Sequence, residues 1–405
     1  MKLLFIHKDF PGQYIHIIRH LADQGHQIVG IGEHPAAGTD RIRYIQYKFD
    51  VSVSPAHAFA QEFDLAVRNG ETVARECERL KASGFIPDIV IGHTGWGETF
   101  FIKDVWPNVP LLGYFEFFYH ATDSDVDFDA EFPPPSETVK RLRTRNAINL
   151  VALDASDWGQ SPTRWQRARY PNCYHDRISV IHEGVDTDFF RPDDSARLLI
   201  AGGICLGGES KVITYAARSL EPYRGFHIFM RSLPEVLRRL PDAHVVIVGD
   251  DGVSYGRPPN NAENWRQQLL REVGDSLEFS RVHFLGHVNL RQYLTVLQIS
   301  DVHVYLTYPF VLSWGLLNAL STGCMVVASD TDPVAEVIAD GQNGSLVNFF
   351  DHDALARQVV SVIRAGRRAS AHMRVAARLS IIRDFDLKQV CLPAYTSLLK
   401  QIISS

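Results

Sequence analysis

The strongest constraint on the fold is that short apolar segments alternate with amphipathic segments along both halves of the 405-residue chain. The apolar segments are KLLFIH, QIVGIGE, DIVIGH and PLLGYFEF in the first half, then KVITYAA, HVVIVG, VHFL, DVHVY and MVVAS. This alternation is typical of parallel sheets with helices on both faces. The chain is also too long for one ordinary core. The sequence therefore predicts an α/β fold with two doubly wound domains, over residues 1–192 and 193–384.

Helical spacing supports this prediction between the strands and at the end of the chain. Apolar residues recur at helical intervals at Phe226, Phe229, Met230, Leu233, Leu237 and Leu240. A second apolar face, in a helix that we expect over residues 385–405 with Asp386 as its cap, consists of Leu387, Val390, Cys391, Leu398, Leu399 and Ile402. This last helix could cross back onto the first domain. The glycine-rich segment after Arg191, GGICLGGESK, is predicted to connect the domains.

Composition narrows the class of protein. The net charge of −6 argues against general nucleic-acid binding, which requires a basic excess. The five cysteines contain no CxxC pair, so they predict neither a zinc site nor a disulfide framework and suit a reducing compartment. The N-terminal segment lacks a signal-peptide pattern, and no apolar run reaches the length of a membrane span. These features favour a cytoplasmic protein.

Two loops are candidates for binding a diphosphate. Open parallel sheets bind ligands at the carboxyl ends of their strands, so two Rossmann-like domains are expected to hold a ligand between them. In DFPGQY, Gly12 follows the first strand and would let backbone amides approach an anion, although a plain turn is an alternative. In ARSLEPYRGF, Arg218 and Arg224 flank a strand-to-helix turn and would stabilise a departing diphosphate. The alternative is that both arginines are solvated.

A third loop precedes a helix in the segment YPFVLSWGLLNALSTG. Ser313 could cap this helix, so that the amides near Gly315 and Leu316 would be directed at a ligand. Asn318, one turn later, could bond a ribose hydroxyl. The leucines of this helix also predict burial of one face.

Two N-terminal residues are candidates for acid and base chemistry. His93 follows a predicted strand and could orient a sugar or an acceptor, or it could be a packed histidine. Glu116 lies among aromatic residues, where desolvation could raise its pKa and make it an acid or base. It could equally pair with a nearby arginine.

Two charged segments, one acidic and one basic, could each bind a ligand or could simply be solvated. The carboxylates of DSDVDFDAEFPPP alternate along a segment that ends in prolines, which favours an acidic loop over a metal site. No cation is required, because Arg218 and Arg224 can neutralise phosphates. A basic run in the first half could contact anionic lipid headgroups or a phosphorylated acceptor, although a solvated helix face is the alternative. Its members are Lys140, Arg141, Arg143, Arg145, Arg164, Arg167 and Arg169.

Taken in order, several segments resemble the retaining glycosyltransferases of group 1, family four, which have the GT-B fold. These segments are SPTRWQ, VIHEGVDTDFF, ARSLEPYRGF, VVIVGDDG, VHFLGHV, LLNALSTG and VVASDTDPVAEVIADGQNG, and they span nearly the whole chain. The resemblance implies two facing Rossmann-like domains, the first binding an acceptor and the second a sugar nucleotide. It also implies metal-independent transfer of a sugar from a UDP or GDP donor, with no further cofactor, to a glycan, a lipid-linked acceptor or a small molecule.

The resemblance also implies roles for individual residues. Arg218 matches a family arginine and Arg224 stands where a lysine is usual, so both would hold the donor diphosphate, which Gly12 would also approach. The nucleobase or ribose would lie near Gly249, Asp250 and Val288. Gly315, Leu316 and Leu317 would offer amides to phosphate or sugar.

Three positions depart from the family pattern. Phe310 and Asn318 stand where the family has two glutamates, and Glu116 stands where it has a histidine. Three explanations remain: an unusual donor, a shifted site that uses Glu116 and His93, or reduced turnover. The alternative functions are a sugar-nucleotide epimerase that uses His93 and Glu116, and a non-catalytic partner subunit that binds a sugar nucleotide.

Overall fold

The computed structural model describes residues 1–36, 38–39, 41–48 and 57–404, which form two compact units. The first unit comprises Met1–Gly184 and Leu387–Ser405, and the second comprises Val185–Asp386. Each contains a parallel sheet with helices, as the alternating pattern predicts. The predicted α/β fold class is therefore confirmed.

The first unit contains a parallel sheet of seven strands, in the order β3-β2-β1-β4-β5-β6-β7. Its strands are β1 (Lys2–Ile6), β2 (Gln27–Gly32), β3 (Ile42–Gln46), β4 (Ile89–His93), β5 (Leu111–Tyr114), β6 (Trp158–Ser161) and β7 (Ile178–Val180). Its helices before residue 184 are α1 (Ile15–Asp23), α2 (Gln61–Ala82), α3 (Ile102–Val105), α4 (Thr138–Ala155) and α5 (Arg164–Ala168). The central strands β1 and β4 are buried on both faces, which explains their nearly continuous apolar sequences.

The second unit contains a parallel sheet of six strands in the order β12-β11-β10-β13-β14-β15, and a separate antiparallel pair, β8 and β9. The strands are β8 (Leu198–Leu199), β9 (Cys205–Leu206), β10 (Lys211–Ser219), β11 (Ala243–Asp250), β12 (Val282–Gly286), β13 (Val302–Tyr305), β14 (Val326–Ser329) and β15 (Ser345–Val347). The helices are α6 (Phe226–Arg239), α7 (Trp265–Val273), α8 (Leu290–Gln298), α9 (Trp314–Ser321), α10 (Asp332–Ala335), α11 (His352–Ala369) and α12 (Ala371–Phe385).

Helix α6 has the predicted apolar face. Phe226, Phe229, Met230, Leu233 and Leu237 are all buried. The helix begins directly after Gly225, whose φ of 67° lies in the left-handed region. A side chain there would also meet Leu306 Cβ at 2.3 Å, so only glycine fits this turn.

The division between the units lies before the predicted boundary at residue 192. Residues after Gly184 already belong to the second unit: the amide of Val185 donates to the carbonyl of Phe385, and the Phe190 carbonyl accepts from Arg378 and Ser321. The predicted linker GGICLGGESK is not a free connection. It contains β9, and Leu206 packs with Leu198 and Val246 in a buried cluster of the second unit.

The end of the chain returns to the first unit, as predicted. A π-helical turn (Leu387–Cys391) leads into α13 (Leu392–Ser404). Leu398, Leu399 and Ile402 pack in one cluster with Leu3 and Phe5 of the central strand. Asp386, the last residue of the second unit, directly precedes the π-helical turn and accepts a hydrogen bond from the Thr187 hydroxyl, and its predicted role as the helix cap stays a prediction. Within the described part of the chain, no helix is both long enough and apolar enough to cross a membrane.

Candidate functional site

Polar side chains gather at the carboxyl ends of three neighbouring strands of the first unit. His7 follows β1, His93 ends β4 and Glu116 follows β5. The sheet order places β1, β4 and β5 side by side, and the rings of His7 and His93 are 5.2 Å apart. His93 and Glu116, the two predicted acid and base candidates, are therefore neighbours. His7 is a third member that the sequence prediction missed.

Hydrogen bonds fix the state of His7. The backbone amide of Asp9 donates to Nδ1 of His7 (2.9 Å), so the ring proton lies on Nε2. Nε2 then donates to Oε1 of Gln13 at 2.5 Å, and Nε2 of Gln13 donates to Oε1 of Glu116 at 3.1 Å. This chain of donors determines the orientation of the Gln13 amide and of the Glu116 carboxylate.

His93 approaches Glu116 from the other side. The amide of Gly95 donates to Nδ1 of His93 at 3.1 Å, which leaves the proton on Nε2. That Nε2 lies 3.5 Å from Oε2 of Glu116. The His93 ring stacks on Trp96 with 4.2 Å between centroids, so the imidazole has little freedom to turn.

The charges of the cluster follow from these contacts. Burial acts to raise the pKa of Glu116, but the nearby His93 ring and the hydrogen bond from Gln13 outweigh it, so the net pKa is lowered. The sequence-based expectation of a raised pKa is therefore wrong, and the partner is a histidine rather than an arginine. Burial, with a contribution from His93, lowers the pKa of His7 to about 4. At neutral pH the cluster presents an ionised carboxylate beside a neutral His7.

Gly12 lies against the His7 ring. Its φ is 50°, and a β-carbon there would meet Cε1 and Nε2 of His7 at 2.3 Å. The turn Gly12–Tyr14 precedes α1, so glycine allows the chain to pass the imidazole and place Gln13 between His7 and Glu116. The structure thus gives Gly12 a positioning role, while its predicted contact with phosphate stays a prediction.

Glu98 is a second buried carboxylate that the sequence prediction missed. It is 1% exposed and accepts a hydrogen bond of 3.2 Å from the Tyr47 hydroxyl. Burial raises the pKa of Glu98 to about 7. Its position after the predicted strand DIVIGH was the available signal, since strand ends carry the polar residues of such sheets.

In the second unit, the two predicted phosphate-binding arginines have different environments. Arg218 is exposed at the end of β10, and no described residue pairs with its guanidinium. Arg224 is only 8% exposed, and its Nη1 donates to the Thr307 hydroxyl (2.7 Å) and to the Val311 carbonyl (3.4 Å). The alternative that both arginines are solvated is wrong for Arg224, which links the loop after β10 to the loop after β13.

Glu221, between the two arginines, organises a neighbouring loop. Its carboxylate accepts from the backbone amides of Ser254 (3.1 Å), Tyr255 (3.1 Å) and Gly256 (2.8 Å). Although burial raises the pKa of Glu221, these three donors favour the ionised form. The loop places the Tyr255 ring 5.1 Å from the Arg224 guanidinium carbon. The spacing of ARSLEPYRGF gave no signal for this role, because the partners are backbone amides distant in sequence.

Phe310 is part of an aromatic cluster at the same place. Its ring is 7% exposed and lies 5.3 Å from the Tyr223 ring and 5.1 Å from the Tyr255 ring. Tyr223 also lies 4.7 Å from Tyr308. Phe310, which the resemblance sets at a glutamate position, is thus packed among aromatic rings near Arg224.

Helix α9 begins as predicted. Ser313 Oγ accepts from the amide of Gly315 at 3.1 Å, and the Ser313 carbonyl accepts from the amide of Leu316 at 3.2 Å. These two amides are engaged by the cap, and a ligand that used them would share or replace these bonds. Leu316 and Leu317 are buried in the core, whereas Asn318 is partly exposed and lies near Tyr293.

The remaining predicted donor-site residues lie near the carboxyl end of β11 or after β12. Gly249 has a φ of 153°, and a β-carbon there would meet the Ala217 carbonyl oxygen at 2.8 Å. Asp250 is exposed and pairs in register with Ser219, next to Arg218. Val288 is partly buried against the core cluster that contains Val248. Arg218, Gly249 and Asp250 are thus brought to adjacent strand ends.

The charged segments of the first unit have local partners. Asp127 accepts from the backbone amides of Asp123 and Ser124, both at 3.0 Å, so this carboxylate stabilises its own loop. In the basic run, Arg141 and Arg145 each lie 3.1 Å from a Glu62 oxygen. These contacts support the interpretation of a solvated helix face for that part of the run.

Two family models match most of the chain. Residues 24–190 match the model described as Glycosyl transferase family 4 group, and residues 210–365 match Glycosyl transferases group 1. Among solved structures, the chain is similar to sucrose-phosphate synthase from Thermosynechococcus elongatus, with 16% identity, complete coverage of both chains and a TM-score of 0.74. It is also similar to Anabaena HepE in complex with UDP and glucose, with 17% identity, coverage of 99% and 100% and a TM-score of 0.71. These similarities show the GT-B fold.

Curated relatives of the chain include two mycobacterial transferases. The chain is 29% identical over 243 residues to the GDP-mannose-dependent alpha-(1-6)-phosphatidylinositol monomannoside mannosyltransferase of Mycolicibacterium smegmatis, covering 58% of this chain and 59% of that protein. It is 28% identical over 287 residues to the D-inositol 3-phosphate glycosyltransferase of Mycolicibacterium paratuberculosis, covering 71% and 59%. The alignments thus span less than two thirds of these relatives. With both family models and the fold in agreement, the chain belongs to the group 1 glycosyltransferases of family 4.

Proposed function

We propose that this protein transfers a sugar from a nucleoside diphosphate sugar to a hydroxyl-bearing acceptor, with retention of configuration. The second unit binds the donor, and UDP and GDP are the favoured nucleotides. The names of the mycobacterial relatives support GDP-mannose or another sugar nucleotide, and the Anabaena structure contains UDP and glucose. The acceptor is a glycan, a lipid-linked molecule or a small molecule bound by the first unit. The proposed location is the cytoplasm, including the inner face of the membrane.

One observation carries this proposal: Arg218 presents an unpaired guanidinium at the end of β10, in the same loop as the buried Arg224. A guanidinium offers several planar donors to phosphate oxygens, and an exposed unpaired one breaks no existing contact when it turns to a ligand. Asp250 and Gly249 lie at the end of the adjacent strand, and we assign them to contact with the nucleoside. Charge on the leaving diphosphate would be stabilised without a metal, because the arginines supply the positive charge.

The proposed reaction breaks the bond between the anomeric carbon and the diphosphate oxygen while the acceptor hydroxyl attacks from the same face. The hydroxyl proton passes to the leaving diphosphate. In the first unit, the ionised Glu116 carboxylate, held by Gln13 and His93, accepts a hydrogen bond from the acceptor and orients it. Replacing Glu116 by Gln is expected to lower the transfer rate about 10²-fold.

Titration calorimetry with UDP and with GDP tests the donor site. The Arg218→Ala variant should bind the preferred nucleotide about tenfold or more weakly than wild type, because a charge-assisted hydrogen bond is lost. Its free energy of unfolding should change by less than about 0.5 kcal/mol, since Arg218 is exposed and unpaired. Arg224→Ala should weaken binding and also destabilise the fold, because Thr307 and the Val311 carbonyl lose their donor.

The matched control is Arg238→Ala, which removes an arginine with an exposed side chain from α6 of the same unit. It should bind nucleotide like the wild type. Equal affinities of wild type, Arg218→Ala and Arg224→Ala for both nucleotides would contradict the donor assignment. Nucleotide binding without transfer to any acceptor would favour the non-catalytic alternative.

A further inference from the structure

An open cavity of about 580 Å³ lies beside β7, the edge strand of the first unit. Its walls come from α5, from the turn that precedes β7 and from β7 itself. The cavity contains none of the residues that the proposed transfer reaction uses. It is therefore a separate feature of the first unit.

Arg167 is the residue that defines the chemistry of this cavity. It lines the wall together with Arg164 and His175, and none of the described lining residues is acidic. Nε of Arg167 is buried and has no hydrogen-bond partner among the described residues. No described residue forms an ion pair with the Arg167 side chain either. The positive charge of Arg167 is therefore not neutralised within the described part of the chain, and an anion bound in the cavity would compensate it.

Ser179, on β7, also lines the cavity. Oγ of Ser179, on β7, accepts from Nε1 of Trp158 at 2.9 Å, so its own proton remains for a second partner. Nε2 of His175 donates to the Tyr170 carbonyl at 2.8 Å, which holds that ring in place. The rest of the lining includes Ile178 and Val180, so cationic and hydroxyl donors stand next to apolar surface.

We propose that this cavity binds a phosphoryl group, and that the group belongs to the acceptor, an assignment that rests on the proposed transfer function. The planar fork of a guanidinium matches two phosphate oxygens, and a serine hydroxyl supplies a third donor. Arg164 contributes a second positive charge, and the apolar wall accommodates the carbon skeleton attached to the phosphate. Helix α5 begins directly after the carboxyl end of β6, the edge of the sheet at which ligands of such domains bind.

Glycerol 3-phosphate is the soluble probe, titrated calorimetrically with and without saturating UDP at constant ionic strength. Wild type should bind it in both conditions. Arg167→Gln should weaken binding about tenfold or more, and Arg167→Lys, which keeps the charge but not the fork, should retain part of the affinity. The matched control, Arg143→Gln, removes an exposed arginine of α4 and should bind like wild type.

The second probe distinguishes a lipid headgroup from a soluble phosphate ester. Phosphatidylcholine vesicles with and without phosphatidylglycerol are sedimented with each variant. Loss of binding to the anionic vesicles in Arg167→Gln identifies a lipid source, whereas an effect on glycerol 3-phosphate alone identifies a soluble acceptor. Both results support the site.

The proposal is overturned if Arg167→Gln binds both glycerol 3-phosphate and the anionic vesicles with the affinity of the wild type. It is also overturned if Arg218→Ala loses glycerol 3-phosphate binding while Arg167→Gln retains it. UDP affinity separates this proposal from the transfer function, because Arg167→Gln should bind UDP normally. Failure of the wild type to bind UDP or GDP would contradict the donor proposal and leave the phosphoryl site intact.

Discussion

Nε2 of His93 lies 3.5 Å from Oε2 of Glu116, and the amide of Gly95 holds the opposite ring nitrogen. His93 ends β4 and Glu116 follows β5, so the pair depends on the adjacency of two parallel strands. Gln13 contacts the other oxygen of the carboxylate. The geometry therefore stabilises the ionised form of Glu116, and this has consequences for the dependence of stability on pH.

Glu116 should contribute stability that is lost in acid. Its folded-state pKa is lowered from the usual 4.5, so the contribution is fully present above that value and disappears as the pH falls through the lowered folded-state pKa. Urea denaturation over this range should show that the difference between wild type and Glu116→Gln shrinks as the pH falls. Glu137→Gln, at an exposed position, should show no such trend. A constant difference for Glu116→Gln would contradict the assignment.

His7 should make the fold less stable as the pH falls, over a pH range that lies above the range for Glu116. Its folded-state pKa is about 4, against the usual 6.5, because it is buried and close to His93. The unfolded chain therefore takes up a proton first, and the free energy of unfolding should fall by about 3 kcal/mol between pH 6.5 and 4. His7→Gln, which cannot titrate, should lack this part of the slope. Parallel curves for the two proteins between these pH values would exclude the assignment.

Replacing Gly12 by alanine should lower the free energy of unfolding more than the same replacement at Gly25, another glycine of the first unit. Gly12→Ala is expected to cost at least about 2 kcal/mol, since the β-carbon would overlap the His7 ring at a φ of 50°. Gly25→Ala should cost about 1 kcal/mol, because its φ of 81° is strained but no atom lies within 4 Å. Chemical denaturation measures both values. Equal costs would show that the turn yields and that His7 is not held by Gly12.

Glu221 should be required for the order of the loop at Tyr255. Glu221→Gln replaces an accepting oxygen by a donor, so we expect a loss of about 1–3 kcal/mol in the free energy of unfolding. Hydrogen exchange of the amides at 254–256 should accelerate. Glu209→Gln, on the surface of the same unit, serves as the control. Unchanged exchange at these amides in Glu221→Gln would show that the carboxylate does not hold the loop.

Much of the fold could be predicted because parallel strands are apolar along their whole length. The segments at β1, β4, β10 and β11 are identifiable for that reason. Strands β3, β6, β7 and β15 and the pair β8 and β9 were missed, since each of them has two to four residues or contains polar residues. The segment of β6, WGQS, buries Gln160 and Ser161, which a hydrophobic pattern does not detect.

The sequence by itself determined the α/β class, the helical return of the chain end and the segments in which polar residues follow strands, because these depend on local periodicity and residue order. Only the tertiary structure decided that Arg218 is exposed while Arg224 is buried, and that His7 and Gln13 join His93 and Glu116. Burial and hydrogen-bond partners depend on which strands become neighbours. The order β1-β4-β5 brings together residues that are distant along the chain, and no local pattern encodes that proximity.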